Sequence, residues 1–237
     1  MNINIEESKA CKKAPYVVAV IPCLNEAEYI EDIVTGTRKY VDRVVVIDDG
    51  STDNTADIAR TAGAEIISHQ KRMGAGAATR DGFTYAHQIG ADILVTLDGD
   101  GQHDPAEIPL LLEPIISGKA DMVIGSRFLR QAKIRAYRKF GIDIITFLVN
   151  FGQTVKFTDS QCCFRAHSKK LVDSIAIQDN SFGFSVEILI QARKQQMRIV
   201  EVPVSCIYHD HGSTTNPLVH GLSVALSVIK HRIRLLG

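Results

Sequence analysis

Two carboxylates two residues apart, Asp98 and Asp100, stand where the apolar run Leu94 to Leu97 stops, and Gly99, Gly101, Gln102, His103, Asp104 and Pro105 complete the turn. At strand spacing both acids can point to one side, while the two glycines let the backbone turn and a bulky partner come close. Like charges so placed call for a positive partner. Two carboxylates with the amide oxygen of Gln102 are hard oxygen ligands that suit Mg²⁺ or Mn²⁺, with substrate phosphate oxygens completing the shell. A helix start explains part of the same stretch, since Asp104 can cap a helix that Pro105 opens. That cap leaves Asp98 and Asp100 unexplained.

The elements that must position this pair read as alternating strands and helices. Tyr16 to Ile21 is a β-branched run of the kind buried on both sheet faces, and Pro22 is expected to halt it. Helical spacing of Ile30, Ile33 and Val34 follows within 27–40, then a second buried-type strand, Arg43 to Ile47, runs into Asp48, Asp49 and Gly50. A helix with Ile58 and Ala59, a strand over 64–68, a helix opened by Gly74 and Gly76, and the strand over 92–97 come next. Pro109 and Pro114 predict short or kinked helical pieces after Pro105. A further strand over 121–125 ends in Ser126 and Arg127. Later, helices are expected near 168–175 and up to Lys194, and a strand over 199–204. Short links between such elements predict an α/β fold: a doubly wound, mainly parallel, Rossmann-like sheet with helices on both faces. Ligands of such sheets sit beyond the carboxyl ends of the strands, where Asp48, Asp49, Asp98 and Asp100 all fall. Arg127 reads equally as an ion-pair partner or an anion ligand. The stretch Arg72 to Gly76 lacks both the dinucleotide fingerprint and the phosphate-loop ending, and reads equally as a helix start or a phosphate contact.

Bulk properties narrow the classes. The 237 residues carry 27 basic and 27 acidic side chains, so no net field draws the protein to nucleic acid, and none is expected as a partner. Five cysteines in no metal-type spacing fit a reducing, cytoplasmic setting. Residues 1–14 are polar and read as a flexible tail, 15–213 as the main folded domain, and 214–237 as an amphipathic helix with the stripe Leu218, Leu222, Leu226, Ile229 and Ile233. No run of about 18 apolar residues predicts a transmembrane helix. Basic residues Lys133, Arg135, Arg138 and Lys139 precede an apolar stretch through Phe151, an order that suits either core packing or a surface meeting anionic headgroups. Glu187 reads as a helix acid, and His209 and His211 as part of a polar loop.

Taken together, these motifs resemble family 2 inverting glycosyltransferases of the GT-A fold, and within them the dolichol-phosphate mannose synthase and dolichyl-phosphate glucosyltransferase group. The resemblance rests on Pro22 to Glu26, Asp48 to Thr55, Gly74 to Gly82, Asp98 to Pro105, Gly125 to Phe128 and Asp159 to Arg165. It implies that Pro22, Asn25, Glu26, Asp48, Asp49 and Gly50 line a nucleotide-sugar site with Arg72, Gly74 and Asp98. It also implies that Asp98, Asp100 and Gln102 hold Mg²⁺ or Mn²⁺, and that Arg127 with Arg135 or Arg138 holds an acceptor lipid phosphate. Asp100 and Arg127 would be the catalytic pair. The implied reaction moves a hexose from a GDP-mannose or UDP-glucose type of donor to a polyprenyl (dolichyl) phosphate. The alternatives are transfer to a soluble saccharide and a non-catalytic nucleotide-sugar-binding subunit. Cys163 stands where relatives usually have Gly, and 208–213 carries histidines where many have Arg. Peripheral membrane contact, or a membrane-anchoring protein partner, is expected.

Overall fold

The structure, a computed structural model, describes residues 13–130, 136–207 and Val228. The expected tail, apart from residues 13 and 14, the histidine loop and the C-terminal helix, apart from Val228, lie outside the described residues. Seven strands form one sheet: β1 (Val17–Cys23), β2 (Arg43–Asp48), β3 (Glu65–Ser68), β4 (Ile93–Thr96), β5 (Met122–Ser126), β6 (Arg165–Ser168) and β7 (Ile199–Pro203). Their order is β3-β2-β1-β4-β6-β5-β7, and every pairing is parallel except the two made by β6.

The helices are α1 (Ile30–Thr37), α2 (Thr55–Thr61), α3 (Ala75–Gln88), α4 (Ile108–Ile116), α5 (Ala136–Asn150), α6 (Lys169–Val172) and α7 (Phe184–Lys194), with a 3-10 turn over Pro105–Glu107 before α4. α1 packs on α2 and on the 3-10 turn that leads into α4, while α3 packs with α6 and α7 on the other face. The central strands are therefore covered on both sides, and Val18, Val20, Val45, Ile47 and Leu94 are fully buried, as the β-branched runs required. Close packing has one visible cost in sequence freedom: a Cβ on Gly82 of α3 would sit 2.2 Å from Val20 Cγ1, so only glycine lets α3 lie against β1.

Two expectations needed correction. Pro22 does not halt β1, which continues to Cys23 paired with Asp48. Val20 already faces β4, its carbonyl taking the Leu97 amide at 3.3 Å, and Pro22, two residues on, faces the same way, where the β1–β4 ladder has ended. No ladder bond is lost, so the missing N–H does no harm. The second correction concerns the stretch before the helix expected near 168–175: 165–168, to which no strand was assigned, form β6, the antiparallel strand between β4 and β5, and the helix itself is α6, only four residues long.

Candidate active site

The organising turn leaves β4 at Thr96 and crosses the end of β1. A Cβ on Gly99 would lie 2.5 Å from Cys23 Sγ and 3.6 Å from Glu26 Cβ, so this glycine is what lets the turn press against β1. Asp98 and Asp100 are thereby brought beside Glu26. The Asp98 side chain is 41% exposed, with Oδ2 3.6 Å from Nε2 of buried His103, whose ring packs on Phe164. Asp100 accepts from the Gln102 amide at 3.0 Å and from Gln102 Nε2 at 2.6 Å. Asp104 caps the 3-10 turn by accepting from Ala106 N at 2.9 Å, the role its position before Pro105 suggested.

The electrostatics of this rim follow from that crowding. Burial, then the charges of Asp100, Asp98 and Asp53, push the Glu26 carboxyl up from 4.5 to about 7. Burial pushes the Cys23 thiol well above its usual range, with Glu26, Asp98, Asp48 and Asp100 adding to it. Acids from the ends of three strands thus bear on one spot. Among the described residues no three His, Cys, Asp or Glu side chains are grouped to hold a metal. The donor chemistry of the rim nonetheless fits a hard divalent cation: Asp98 is open to solvent, Asp100 stands beside it, and a bound phosphate would supply further oxygens. Gln102 turns its amide nitrogen to Asp100, while its Oε1 lies 4.0 Å from Cys206 Sγ.

The β2 end is built differently. Asp48, buried, accepts from Ser51 N at 3.1 Å. Asp49 Oδ1 takes the Met73 amide and a His69 ring nitrogen, each at 2.7 Å, and its Oδ2 takes the Gly74 amide at 2.8 Å. Its carboxylate therefore anchors the loop that carries the exposed Arg72. That loop passes directly over Gly50 (φ +80°), where a Cβ would stand 3.0 Å from Arg72 N. Asn25, at φ +58°, has its Oδ1 on Thr52 N at 2.8 Å, and Glu26 N donates to Thr55 Oγ1 at 2.8 Å, which ties the loop after β1 to the one after β2. The start of α3 is occupied by protein: Gly76 N donates to Asn180 O at 3.0 Å, and a Cβ on Gly76 would collide with Asp179 O. The glycine-rich stretch opens α3, packed under the 179–181 loop.

At the β5 end Arg127 pairs with fully buried Asp159 through two bonds, Nε to Oδ2 at 2.7 Å and Nη2 to Oδ1 at 2.9 Å. The same segment is held by Glu201, which accepts from the amides of Thr158 and Asp159. Arg135 and the Arg138 side chain lie outside the described residues. Cys163 is half-buried in a crevice shared with Asp98, Thr96 and His167, and burial raises its thiol well above the usual range, so it stays protonated. Glu187 is buried and accepts from the amides of Gln178 and Asp179 at 3.0 and 2.9 Å. Sequence pattern did not point to His69 or Glu201, and it included Asp159 in a motif without a role, because their partners lie far along the chain.

A family model described as glycosyl transferase family 2 matches residues 18–176. The UDP-N-acetylglucosamine–dolichyl-phosphate N-acetylglucosaminyltransferase of Methanococcus voltae is 33% identical over 221 residues, covering 82% of this chain and 87% of its own. The undecaprenyl-phosphate mannosyltransferase of Micrococcus luteus is 30% identical over 211 residues, covering 84% and 86%. Among solved structures, glucosyl-3-phosphoglycerate synthase from Mycobacterium tuberculosis with Mn²⁺, uridine diphosphate and phosphoglyceric acid superposes with a TM-score of 0.76 at 20% identity, covering 92% of this chain and 78% of that one. The same enzyme with Mg²⁺ and uridine diphosphate gives 0.73 at 21% identity, covering 92% and 79%. At such identity the structural likeness speaks for the fold, which is GT-A. Because the matched span runs from β1 past β6 and includes every strand end that carries an acid, the chain belongs to glycosyl transferase family 2.

Proposed function

We propose that this glycosyltransferase moves a hexose-type sugar from a nucleoside diphosphate sugar to a polyprenyl phosphate, with inversion at the anomeric carbon, and depends on Mg²⁺ or Mn²⁺ held by Asp98 and Asp100. The observation that carries the reading is the crowded negative rim, where Glu26 is driven up to about 7 by burial and its acidic neighbours. A bound cation would neutralise the charge that grows on a departing diphosphate. The residues around it bind and orient. Asp48 and Asn25 shape the loops beside the nucleotide, Asp49 holds the Arg72 loop, and Asp159 sets the plane in which the Arg127 guanidinium meets an acceptor phosphate, with Arg135 or Arg138 beside it. A phosphate acceptor arrives ionised and needs little help from a base, which agrees with Glu187 being held by two backbone amides.

Two findings favour a lipid acceptor over a soluble one. The Methanococcus voltae and Micrococcus luteus relatives are both named for lipid phosphates. In addition, α5 exposes Phe140, Ile144 and Phe147 with Phe151 just beyond it, at helical spacing, and Lys139 is exposed on the same helix. No helix among the described residues is long and apolar enough to cross a membrane, so contact through this helix would be peripheral. The test is incubation with radiolabelled UDP-N-acetylglucosamine, UDP-glucose or GDP-mannose, Mn²⁺ and a short polyprenyl phosphate. Label in the organic phase from one donor supports the reading. Product only with a soluble saccharide or phosphoglyceric acid would move the acceptor to the soluble class, and donor binding without any turnover would make the chain a binding subunit.

A further inference from the structure

His69 closes β3 and carries a load that the proposed chemistry does not use. Its Nδ1 lies 2.7 Å from Asp49 Oδ1 and its Nε2 2.9 Å from Asp81 Oδ2, with the ring 7% exposed. A neutral imidazole has one N–H and one lone pair, so two carboxylate contacts require either a proton on both nitrogens or a repulsive second contact. The surroundings favour the doubly protonated ring. Burial works against the charge, but hydrogen bonds to Asp49 and Asp81 outweigh it and hold the imidazole above its ordinary range. Facing the ring are Asp49 from the β2 end and Asp81 from α3. Arg80 Nε lies 3.7 Å from the other Asp81 oxygen, and Lys71 and Arg72 follow on the His69 loop.

What the clamp holds is the segment expected to meet the nucleotide. Asp49 accepts from the Met73 and Gly74 amides, so its orientation decides where Arg72 sits. On the far side Arg80 donates to Asn180 Oδ1 at 2.7 Å, which carries the chain of contacts into the loop that Glu187 of α7 also holds. We propose that His69, as an imidazolium clamped between Asp49 and Asp81, is the positioning residue for the nucleotide-binding loop 71–74. This deepens the nucleotide-sugar reading and rests on it. Loss of the ring proton turns one attraction into repulsion, frees Asp49 to rotate, and weakens nucleotide binding while the reacting groups at Asp98 and Asp100 stay in place.

The experiment uses the full chain with MnCl₂ and UDP or GDP as the probe, comparing the unmodified protein, His69→Gln and Asp81→Asn by calorimetric titration from pH 5.5 to 9, with ¹⁵N spectra of the His69 ring. A ring protonated on both nitrogens at pH 7 is expected, together with nucleotide affinity that falls above the pH at which that proton leaves. His69→Gln should bind roughly tenfold more weakly and lose that pH dependence, a loss of the size expected when one supporting contact of a binding group is removed. Asp81→Asn leaves the Asp49 side intact and is expected to move the break to lower pH; should His69→Gln fail to fold, this half-exposed position carries the test. In turnover assays the loss is expected in KM for the donor with kcat nearly kept. A neutral His69 at pH 7, or variants that bind like the parent at every pH, would overturn the inference alone. Failure of the unmodified chain to bind either nucleotide would remove the nucleotide-sugar reading and this inference with it.

Discussion

Two strand ends in this molecule carry a pair of acids, and the protein treats them in opposite ways. At β2, Asp49 is buried and receives two backbone amides and a histidine, so its charge is fully engaged. At β4, Asp98 is open, Asp100 is met by Gln102, and the surplus charge spreads to Glu26. An acid engaged by amides can serve as a structural part, whereas an acid crowded among others would suit the cation proposed for it. The same residue type at the same place in the fold is thus held in two different ways, and hydrogen-bond partners rather than position separate them.

Asp100→Asn is expected to break the β4 end where it matters and nowhere else. Removing one group that stabilises charge growing in a transition state costs about 10²- to 10³-fold in turnover where it has been measured at oxyanion sites, and a loss of that order is expected here. Transfer from the labelled donor should fall by that much and Mn²⁺ affinity with it, while the melting temperature holds or rises because a repulsion is relieved. A drop in melting temperature with activity kept would make Asp100 the structural acid and invert the comparison.

Asp49→Asn addresses the β2 end. An amide cannot accept from two backbone N–H groups and an imidazolium at once, so a cost of about 2 kcal/mol in stability is expected. Denaturant unfolding of parent and variant measures it, and kcat at saturating donor should change little. Asp104→Ala, in the same motif as Asp98, removes a capping acceptor from the 3-10 turn that opens α4, and about 1 kcal/mol is expected to go with it, again by denaturant unfolding. Activity equal to the parent's would show that only two of the three acids in that turn face the chemistry.

The difference between the two ends also explains what could be read from residues alone. Parallel strands announced themselves through β-branched runs such as Val44 to Ile47, because burial on both faces demands them, and the acids at their ends followed. β6 did not, since Arg165 and His167 are polar residues buried within it. Arg165 is satisfied by the carbonyls of Cys162, Ser185 and Ser160, partners that no local pattern reveals. For the same reason the sequence showed that Asp49 stands beside Asp48, yet not that Met73 and Gly74 claim its oxygens. Arg127 kept two readings for want of Asp159, its partner in the loop before β6. Local chemistry placed the candidates; only tertiary contacts show what holds each of them.

The smallest expected effect is also the most direct reading of the unbalanced rim. Glu26 rises from 4.5 to about 7 in the folded protein, through burial first and the Asp100 and Asp98 charges next. The folded state therefore binds this proton more tightly than the unfolded chain, so its contribution is fully present below about pH 4.5 and is lost as pH climbs through about 7. Because Glu26 keeps considerable contact with water, screening reduces the effect to a fraction of the ideal linkage value. Melting temperatures of the metal-free protein, taken as the difference between parent and Glu26→Gln, should decline from pH 4.5 to pH 7.5. Saturating Mn²⁺ should flatten that decline, since a cation at Asp98 and Asp100 removes the repulsion that raises the carboxyl. A slope indifferent to Mn²⁺ would mean that the acids of the β4 end are balanced from within, as those of the β2 end are, and the contrast between the two would vanish.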